Sequence, residues 1–358
     1  MKDKCTVCVV GTRGFPDIQG GVEKHCESIY PILSDSYDVI VYRRRPYVHT
    51  VKSYPHIRFI DLPSTRIKGF EAFFHSFIAT LASCLTRSDI VHYHNIGPGL
   101  FAPIARFFGK KVIMTYHSAN YEHAKWGRIA KLVLRLSERV SLKASNAVIF
   151  VNRFQMDKYK KIYGSKSYYI PNGIQDADCV DTTVNLTSLG LVHQSYILSV
   201  GRITPEKGFD ILIEAFERID TKYKLVIAGG VESEVEYYNE LSGMSTSGRV
   251  VFAGYCDEKK LSELYSHAAL YVLSSRNEGF PIVLLEAMNY GIDILASDIP
   301  ASRLVKLEDD DYFKNGNIGD LADKLSLKLT KLRKRKYDLS DYDWKKVVVQ
   351  LEEVYQKC

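Results

Sequence analysis

Glu278 and Glu286 stand on either side of a Gly-Phe-Pro turn, in Glu278-Gly279-Phe280-Pro281-Ile282-Val283-Leu284-Leu285-Glu286. The stretch follows an apolar run ending near Leu273–Ser274 and opens a helical one. Pro281 suits a first helical position, where its missing N–H would lack a partner anyway. The first-turn amides and the helix dipole then make an anion site, and Gly279 lets backbone approach a ligand closely. Glu286 falls in the second turn, within reach of sugar or ribose hydroxyls. Two carboxylates around a phosphate-binding turn suit a sugar nucleotide; a solvated, capped helix is the plain alternative. A second turn, Gly201-Arg202-Ile203-Thr204-Pro205-Glu206-Lys207-Gly208, leaves the apolar run Tyr196–Val200. Pro205 stiffens it and Gly208 closes it, so that it projects Arg202 and Lys207 beyond a strand end. A diphosphate leaving group needs such charge, supplied by Arg as a fork and Lys as a point charge. Nearer the start, Gly20-Gly21 precede a helix and permit tight backbone contact with an anion. His117 ends a strand in Tyr116-His117-Ser118.

The elements that must position these residues alternate. In the first half the patterning predicts strands at 7–11, 38–42, 57–62, 90–94, 111–115 and 147–151, with helices at 22–33, 71–85, 100–108 and 126–143 between them. Residues 176–194 read as a linker. The pattern then restarts, with strands at 196–200, 224–228, 250–252, 270–273 and 294–296, the last closing the sheet. Helices are expected at 208–218, 232–241, 258–267 and 281–290. Strands separated by helices imply parallel sheets covered on both faces. Two such doubly wound domains, 1–172 and 173–342, would face a central cleft at the carboxyl ends of their strands. The last segment, 343–358, is amphipathic, with Trp344, Val347, Val348, Leu351 and Tyr355 on one side, and is expected to pack back on the first domain.

The 358 residues favour two domains, and 46% hydrophobic with 25% charged residues argues against disorder. No apolar run reaches the ~18–20 residues of a membrane span; Phe70–Leu85 is broken by Glu71 and His75. The first eleven residues are too short for a signal peptide, and a cytoplasmic chain is expected. Cys5 and Cys8 form a CxxC inside an apolar run with no second pair, so they read as reduced core cysteines. Charge is uneven. Residues 1–172 hold 26 Lys and Arg against 12 Asp and Glu, and the remainder 22 against 30. The basic half implies an anionic partner. Lys125, Arg128, Lys131, Arg135, Arg139 and Lys143 recur along one side of a helix whose other side carries Ile129, Leu132, Val133, Leu136 and Val140. With Arg43–Arg45, Arg66, Lys68 and the phenylalanines at 70, 73, 74 and 77, this predicts contact with an anionic membrane. The alternative is an ordinary surface helix with its apolar side in the core. The basic run 331–336 reads as solvated, and Asp309–Asp311 as a surface loop.

The Arg202…Lys207 turn followed by Glu278-x7-Glu286 resembles the retaining glycosyltransferase family four. The likeness extends over nearly the whole chain: Gly20-Gly21, His94, His117, Ile170-Pro171-Asn172-Gly173 and the terminal Trp-containing helix. Gly11-Thr12-Arg13-Gly14-Phe15-Pro16 and the stretch 117–127, with Ala124-Lys125-Trp126-Gly127, resemble a rhamnosyltransferase-like subgroup. The resemblance implies a GT-B fold and a nucleotide-diphosphate sugar as donor, with no cofactor. It implies that Arg202 and Lys207 bind the diphosphate, that Glu286 holds the ribose and that Glu278 lies at the donor sugar. Backbone amides of Phe280, Ile282 and Val283 would meet sugar and phosphate, Gly254-Tyr255-Cys256 the base, and Gly20, Gly21 and His117 the donor from the first domain. Ser118 departs from the glycine that commonly follows the histidine. The implied acceptor is a glycan or a polyprenyl-linked sugar in surface glycan assembly. No metal is expected, because Arg202, Lys207 and a helix N-terminus supply the charge.

An NADP-dependent oxidoreductase is the reading from another class, since Arg43–Arg45 could meet a 2′-phosphate. Gly11 and Gly14 lack the G-x-G-x-x-G spacing it needs. Nucleic-acid binding would explain the basic half but not the phosphate turn of the acidic one. A GT-B sugar-nucleotide epimerase or an inverting transferase is the nearer rival.

Overall fold

The computed structural model describes residues 4–50, 52–65, 67, 70–119, 121, 127–231 and 234–358. Arg66, Lys68 and Ala124-Lys125-Trp126, as well as the expected helix starts at 126 and 232, lie outside the described residues. By internal contacts the chain forms two units, residues 1–173 with 341–358, and residues 174–340.

The first unit runs β1 (Thr6–Val10), α1 (Gly21–Leu33), β2 (Asp38–Arg44), β3 (Ile57–Leu62), α2 (Phe70–Leu85), β4 (Ile90–His94), α3 (Ala102–Phe107), β5 (Lys111–Tyr116), α4 (Arg128–Ala144), β6 (Ala147–Phe150), α5 (Arg153–Tyr163) and β7 (Ser167–Tyr169). Its seven strands lie in the order β3-β2-β1-β4-β5-β6-β7, all parallel. The run Val7-Cys8-Val9-Val10 is wholly buried because helices cover both faces. Alternation divides it: Val7 and Val9 enter one core cluster, Cys8 and Val10 the other. Both cysteines are free thiols, Cys8 buried and Cys5 half-buried.

The second unit runs α6 (Val184–Ser188), β8 (Tyr196–Val200), α7 (Phe209–Glu217), β9 (Lys224–Ala228), α8 (Val235–Met244), β10 (Val250–Gly254), α9 (Glu258–His267), β11 (Leu270–Leu273), α10 (Ile282–Asn289), β12 (Asp293–Asp298), β13 (Tyr312–Lys314) and α11 (Ile318–Thr330). Its parallel sheet has the order β10-β9-β8-β11-β12-β13. The sheet does not close at 294–296, as expected, but at β13. That strand has three residues and a single full turn of pattern, too little to read from sequence. The final helix, α12 (Trp344–Lys357), belongs to the first unit. Trp344, Val347, Val348, Leu351, Val354 and Tyr355 join the core cluster of β1 and α1.

Three further expectations fail. Asp309–Asp311 is not simply a surface loop, because Asp311 is fully buried. Its carboxylate takes Lys328 at 2.6 Å and Arg335 at 2.5 Å, with Asp293 on the same lysine at 2.8 Å. Arg335 therefore leaves the supposedly solvated run 331–336 to neutralise an interior carboxylate. Arg43 and Arg44 add little free positive surface: both are buried, Arg43 as a fork on Asp61 and Arg44 on Glu71.

Candidate active site

In parallel sheets of this order the strand connections diverge to opposite sides at one point, and ligands bind beyond the carboxyl ends there. In the second unit that point lies between β8 and β11. Both sequence motifs leave from it. The turn after β8 is a short 3₁₀ segment, Pro205–Lys207, ended by Gly208 at φ 64°. A Cβ there would lie 2.2 Å from the Ser274 carbonyl oxygen, so only glycine brings the two turns this close. Ser274 Oγ donates to the Lys207 carbonyl at 2.9 Å. Across this seam Lys207 Nζ donates to Glu278 Oε1 at 2.6 Å, and Ser275 Oγ donates to the same oxygen at 2.7 Å. Arg276 buttresses the turn, donating to Asp210 as a fork and to the Pro205 carbonyl at 2.7 Å.

The helix opened by the Glu278 motif begins at Ile282, with Pro281 as its N-cap rather than its first residue. Glu286 accepts a hydrogen bond from Tyr265 at 2.9 Å. Tyr265 stacks on Tyr290 with centroids 5.3 Å apart. Tyr271, on β11, is fully buried; burial and then the Glu286 and Glu278 carboxylates push its phenol well up, keeping it neutral. Arg202 is half-buried on the turn leaving β8. Gly254 ends β10 and Tyr255 and Cys256 follow it at the same end of the sheet, with Tyr255 55% exposed and Cys256 buried.

In the first unit the corresponding point lies between β1 and β4. Gly20 caps α1 at φ 152°, and a Cβ there would lie 2.0 Å from Glu23 Oε2. Glu23 folds back to accept the Arg13 amide at 3.0 Å. Gly21 has open space where its side chain would stand. His117 follows β5 and is buried, with its ring 4.8 Å from that of His25 and 5.3 Å from that of His94. His25 is held by Asn172 at 2.7 Å. Burial, then the neighbouring imidazoles, holds His94 and His117 well below the ordinary 6.5, so both are neutral. His25, His94 and His117 each offer one nitrogen within 4.8 Å of the others, the geometry in which a metal ion could be held. His94 Nδ1 and His117 Nε2, however, are 3.0 Å apart and bonded to each other.

Ser275, Arg276, Tyr265 and Tyr271 escaped the sequence reading. Ser275 stands in the same turn as the Glu278 it supports, Arg276 reaches the Pro205 turn from another turn, Tyr265 reaches Glu286 from α9, and Tyr271 lies on β11; no apolar or charged pattern marks them. His25 had a signal, five residues after Gly20.

The comparisons agree across both units. Residues 19–178 match the family model of Glycosyltransferase Family 4, and residues 188–341 that of Glycosyl transferases group 1. Sucrose-phosphate synthase from Thermosynechococcus elongatus superimposes with a TM-score of 0.83 over 99% of each chain, at 19% identity. The chain belongs to the GT-B glycosyltransferases. The transferase is 24% identical over 249 residues to the O-antigen biosynthesis glycosyltransferase WclY of Escherichia coli, covering 67% of each chain. It is 26% identical over 265 residues to an Escherichia coli UDP-Gal:alpha-D-GlcNAc-diphosphoundecaprenol alpha-1,3-galactosyltransferase, covering 66% of this chain and 67% of that one. Anabaena HepE, solved in complex with UDP and glucose, shares the fold with a TM-score of 0.78 at 16% identity, over 99% of this chain and all of that one. The oxidoreductase reading finds no support.

Proposed function

We propose that this transferase moves a hexosyl or deoxyhexosyl unit, with retention of configuration, from a nucleotide-diphosphate sugar to a glycan or polyprenyl-linked acceptor in surface glycan assembly. The observation that carries the reading is the Lys207–Glu278 contact, which joins the cationic turn after β8 to the mouth of α10. Arg202 and Lys207 neutralise the diphosphate, Glu286 takes the ribose and Glu278 the donor sugar. First-turn amides of Ile282 and Val283, with that of Phe280, meet sugar and phosphate oxygens. Gly254–Cys256 border the base, and Gly20, Gly21 and His117 are donor contacts of the first unit.

In the proposed step the acceptor hydroxyl attacks from the face that the diphosphate leaves. The departing phosphate oxygen takes its proton, and the sugar passes through an oxocarbenium-like state. Charge gathers on the diphosphate, so positioning and electrostatic stabilisation carry the catalysis. With two cations and a helix N-terminus at that oxygen, no metal is needed.

The acceptor reading is supported by α4. The expected alternative put its apolar side in the core, yet the helix buries Ser137, Glu138, Ser141 and Leu142 instead. Ile129 is 81% exposed and Leu132 68%, with Val133 and Leu136 also exposed. Arg128, Arg135, Arg139 and Lys143 are exposed around them. Phe107 and Phe108 at the end of α3, and Phe70, Phe73 and Phe77 on the adjoining α2, continue the apolar surface. Exposed apolar side chains beside exposed cations suit an anionic bilayer, where such an acceptor would reside; with that acceptor the enzyme would work at the cytoplasmic face of the membrane. Among the described residues no helix is long and apolar enough to cross one.

The test is transfer from a nucleotide sugar with EDTA present, with the anomeric configuration of the product read by NMR. Retention in EDTA is expected. Inversion, silencing by EDTA or epimerised donor without transfer would refute the proposal.

A further inference from the structure

Behind His117 runs a line of buried, hydrogen-bonded groups that the proposed chemistry does not use. His117 Nε2 lies 3.0 Å from His94 Nδ1. His94 Nε2 lies 2.7 Å from the Tyr30 hydroxyl. His92 Nδ1 lies 2.7 Å from the Tyr355 hydroxyl and 3.0 Å from that of Tyr30. His92 Nε2 completes the line at 2.8 Å from Thr115 Oγ1. All of these side chains are buried, in elements as distant in sequence as β4 and α12.

Counting protons gives the line a direction. Burial keeps the imidazoles neutral, so each carries one N–H and one lone pair. Both 2.7 Å contacts join a phenol to an imidazole. The phenol is the stronger acid, so we assign each as an O–H···N bond; Tyr30 has one proton, which the shorter contact takes, and its 3.0 Å approach to His92 Nδ1 then carries none. Tyr355 donates to His92 Nδ1, and His92 passes its Nε2–H to Thr115. Tyr30 donates to His94 Nε2. His94 therefore carries its proton on Nδ1 and gives it to His117 Nε2. That leaves His117 with its own proton on Nδ1, an atom with no hydrogen-bond partner among the described residues. His117 and His94 must share a tautomer: reversing one bond reverses the next.

We propose that Tyr30 and His94 are positioning residues that lock His117 as the Nδ1–H tautomer, so that it offers an N–H, and not a lone pair, to an oxygen of the donor sugar. The ligand in this inference rests on the transferase reading; the tautomer does not.

Histidine-selective ¹⁵N labelling of the full chain, read by long-range proton–nitrogen correlation, reports which ring nitrogen holds the proton. The wild type at pH 7.5 should show His117, assigned by its loss in His117→Asn, protonated on Nδ1. Tyr30→Phe removes the O–H while keeping the ring, which lies parallel to Phe15 with centroids 6.1 Å apart. His117 should then become a mixture of tautomers, and kcat/KM for the nucleotide sugar should fall about fivefold to tenfold. Two further variants separate positioning from packing. His94→Asn puts an amide N–H near the place of Nδ1 and should keep His117 on Nδ1; His94→Gln puts it near Nε2 and should not. A wild-type His117 protonated on Nε2 overturns the proposal. So does a tautomer untouched by both Tyr30→Phe and His94→Gln. The spectra need no substrate: a chain that binds no nucleotide would end the transferase reading and leave this test standing.

Discussion

The 2.6 Å contact between Lys207 and Glu278 makes two distant motifs one unit, since each charge is half-buried and relies on the other. Spacing in the sequence pointed to both residues but not to the pair, because their separation of 71 positions is closed only when β8 and β11 become neighbours. The histidines show the same limit. His117 and His94 were visible at strand ends, whereas the line behind them draws on Tyr30, which no pattern singled out, and on Tyr355, which read as part of the apolar side of the last helix. Its energetic consequence is measurable. Burial holds His25 at about 4 and His92 at about 3, and His94 and His117 well below the ordinary 6.5. His75 on α2 is held at about 4, by burial and then by Arg44. The unfolded chain therefore binds more protons in acid. Stability is complete above pH 6.5 and falls as the pH drops toward 4, by about 1.4 kcal/mol per pH unit for each histidine. Urea midpoints at pH 7.5, 6.5 and 5.5 should fall steeply over the last interval, and a flat profile would mean that these imidazoles are solvated.

Among the elements, periodicity found the strands well. β3, β4, β8, β9 and β11 have the expected bounds. Short or polar elements were missed: β7 and β13 have three residues each, and the apolar stripe of α5, Met156, Tyr159 and Tyr163, is only partly buried among many charged residues. For α4, periodicity separated two faces without saying which is inside. Neighbours decide that: Glu138 turns inward because the Tyr116 and Tyr121 hydroxyls donate to it. The outward apolar face should therefore be dispensable for folding. Leu132→Ser with Leu136→Ser should leave the melting temperature within the small range usual for surface changes, about 0.5 kcal/mol per site. The double variant should lose flotation with anionic vesicles while still binding nucleotide. Flotation equal to wild type, or indifferent to anionic lipid, would count against the membrane reading.

At the scale of the whole molecule, the chain leaves the first unit at residue 173 and re-enters it at 341. The amphipathic pattern of the last segment announced a packed helix, and its partner is the core around β1 and α1. Trp344 packs directly over Gly173, where a Cβ would approach it to 2.6 Å, and is only 4% exposed. Trp344→Ala should therefore destabilise the first unit by about 3–5 kcal/mol. Calorimetric unfolding should show the transition of that unit lowered while the other keeps its midpoint; equal shifts in both would contradict the assignment of α12 to the first unit alone.

The central claim is that the Lys207 turn binds a nucleoside diphosphate. Titration calorimetry of UDP, GDP, ADP, dTDP and NADPH, against the wild type and Lys207→Ala, tests it most directly. One nucleoside diphosphate should bind the wild type, and the variant should lose affinity for it, with transfer slowed by roughly 10²–10³-fold, the usual cost of one preorganised charge-stabilising group. Binding of NADPH alone, or equal binding by wild type and Lys207→Ala, would contradict the account at its central residue.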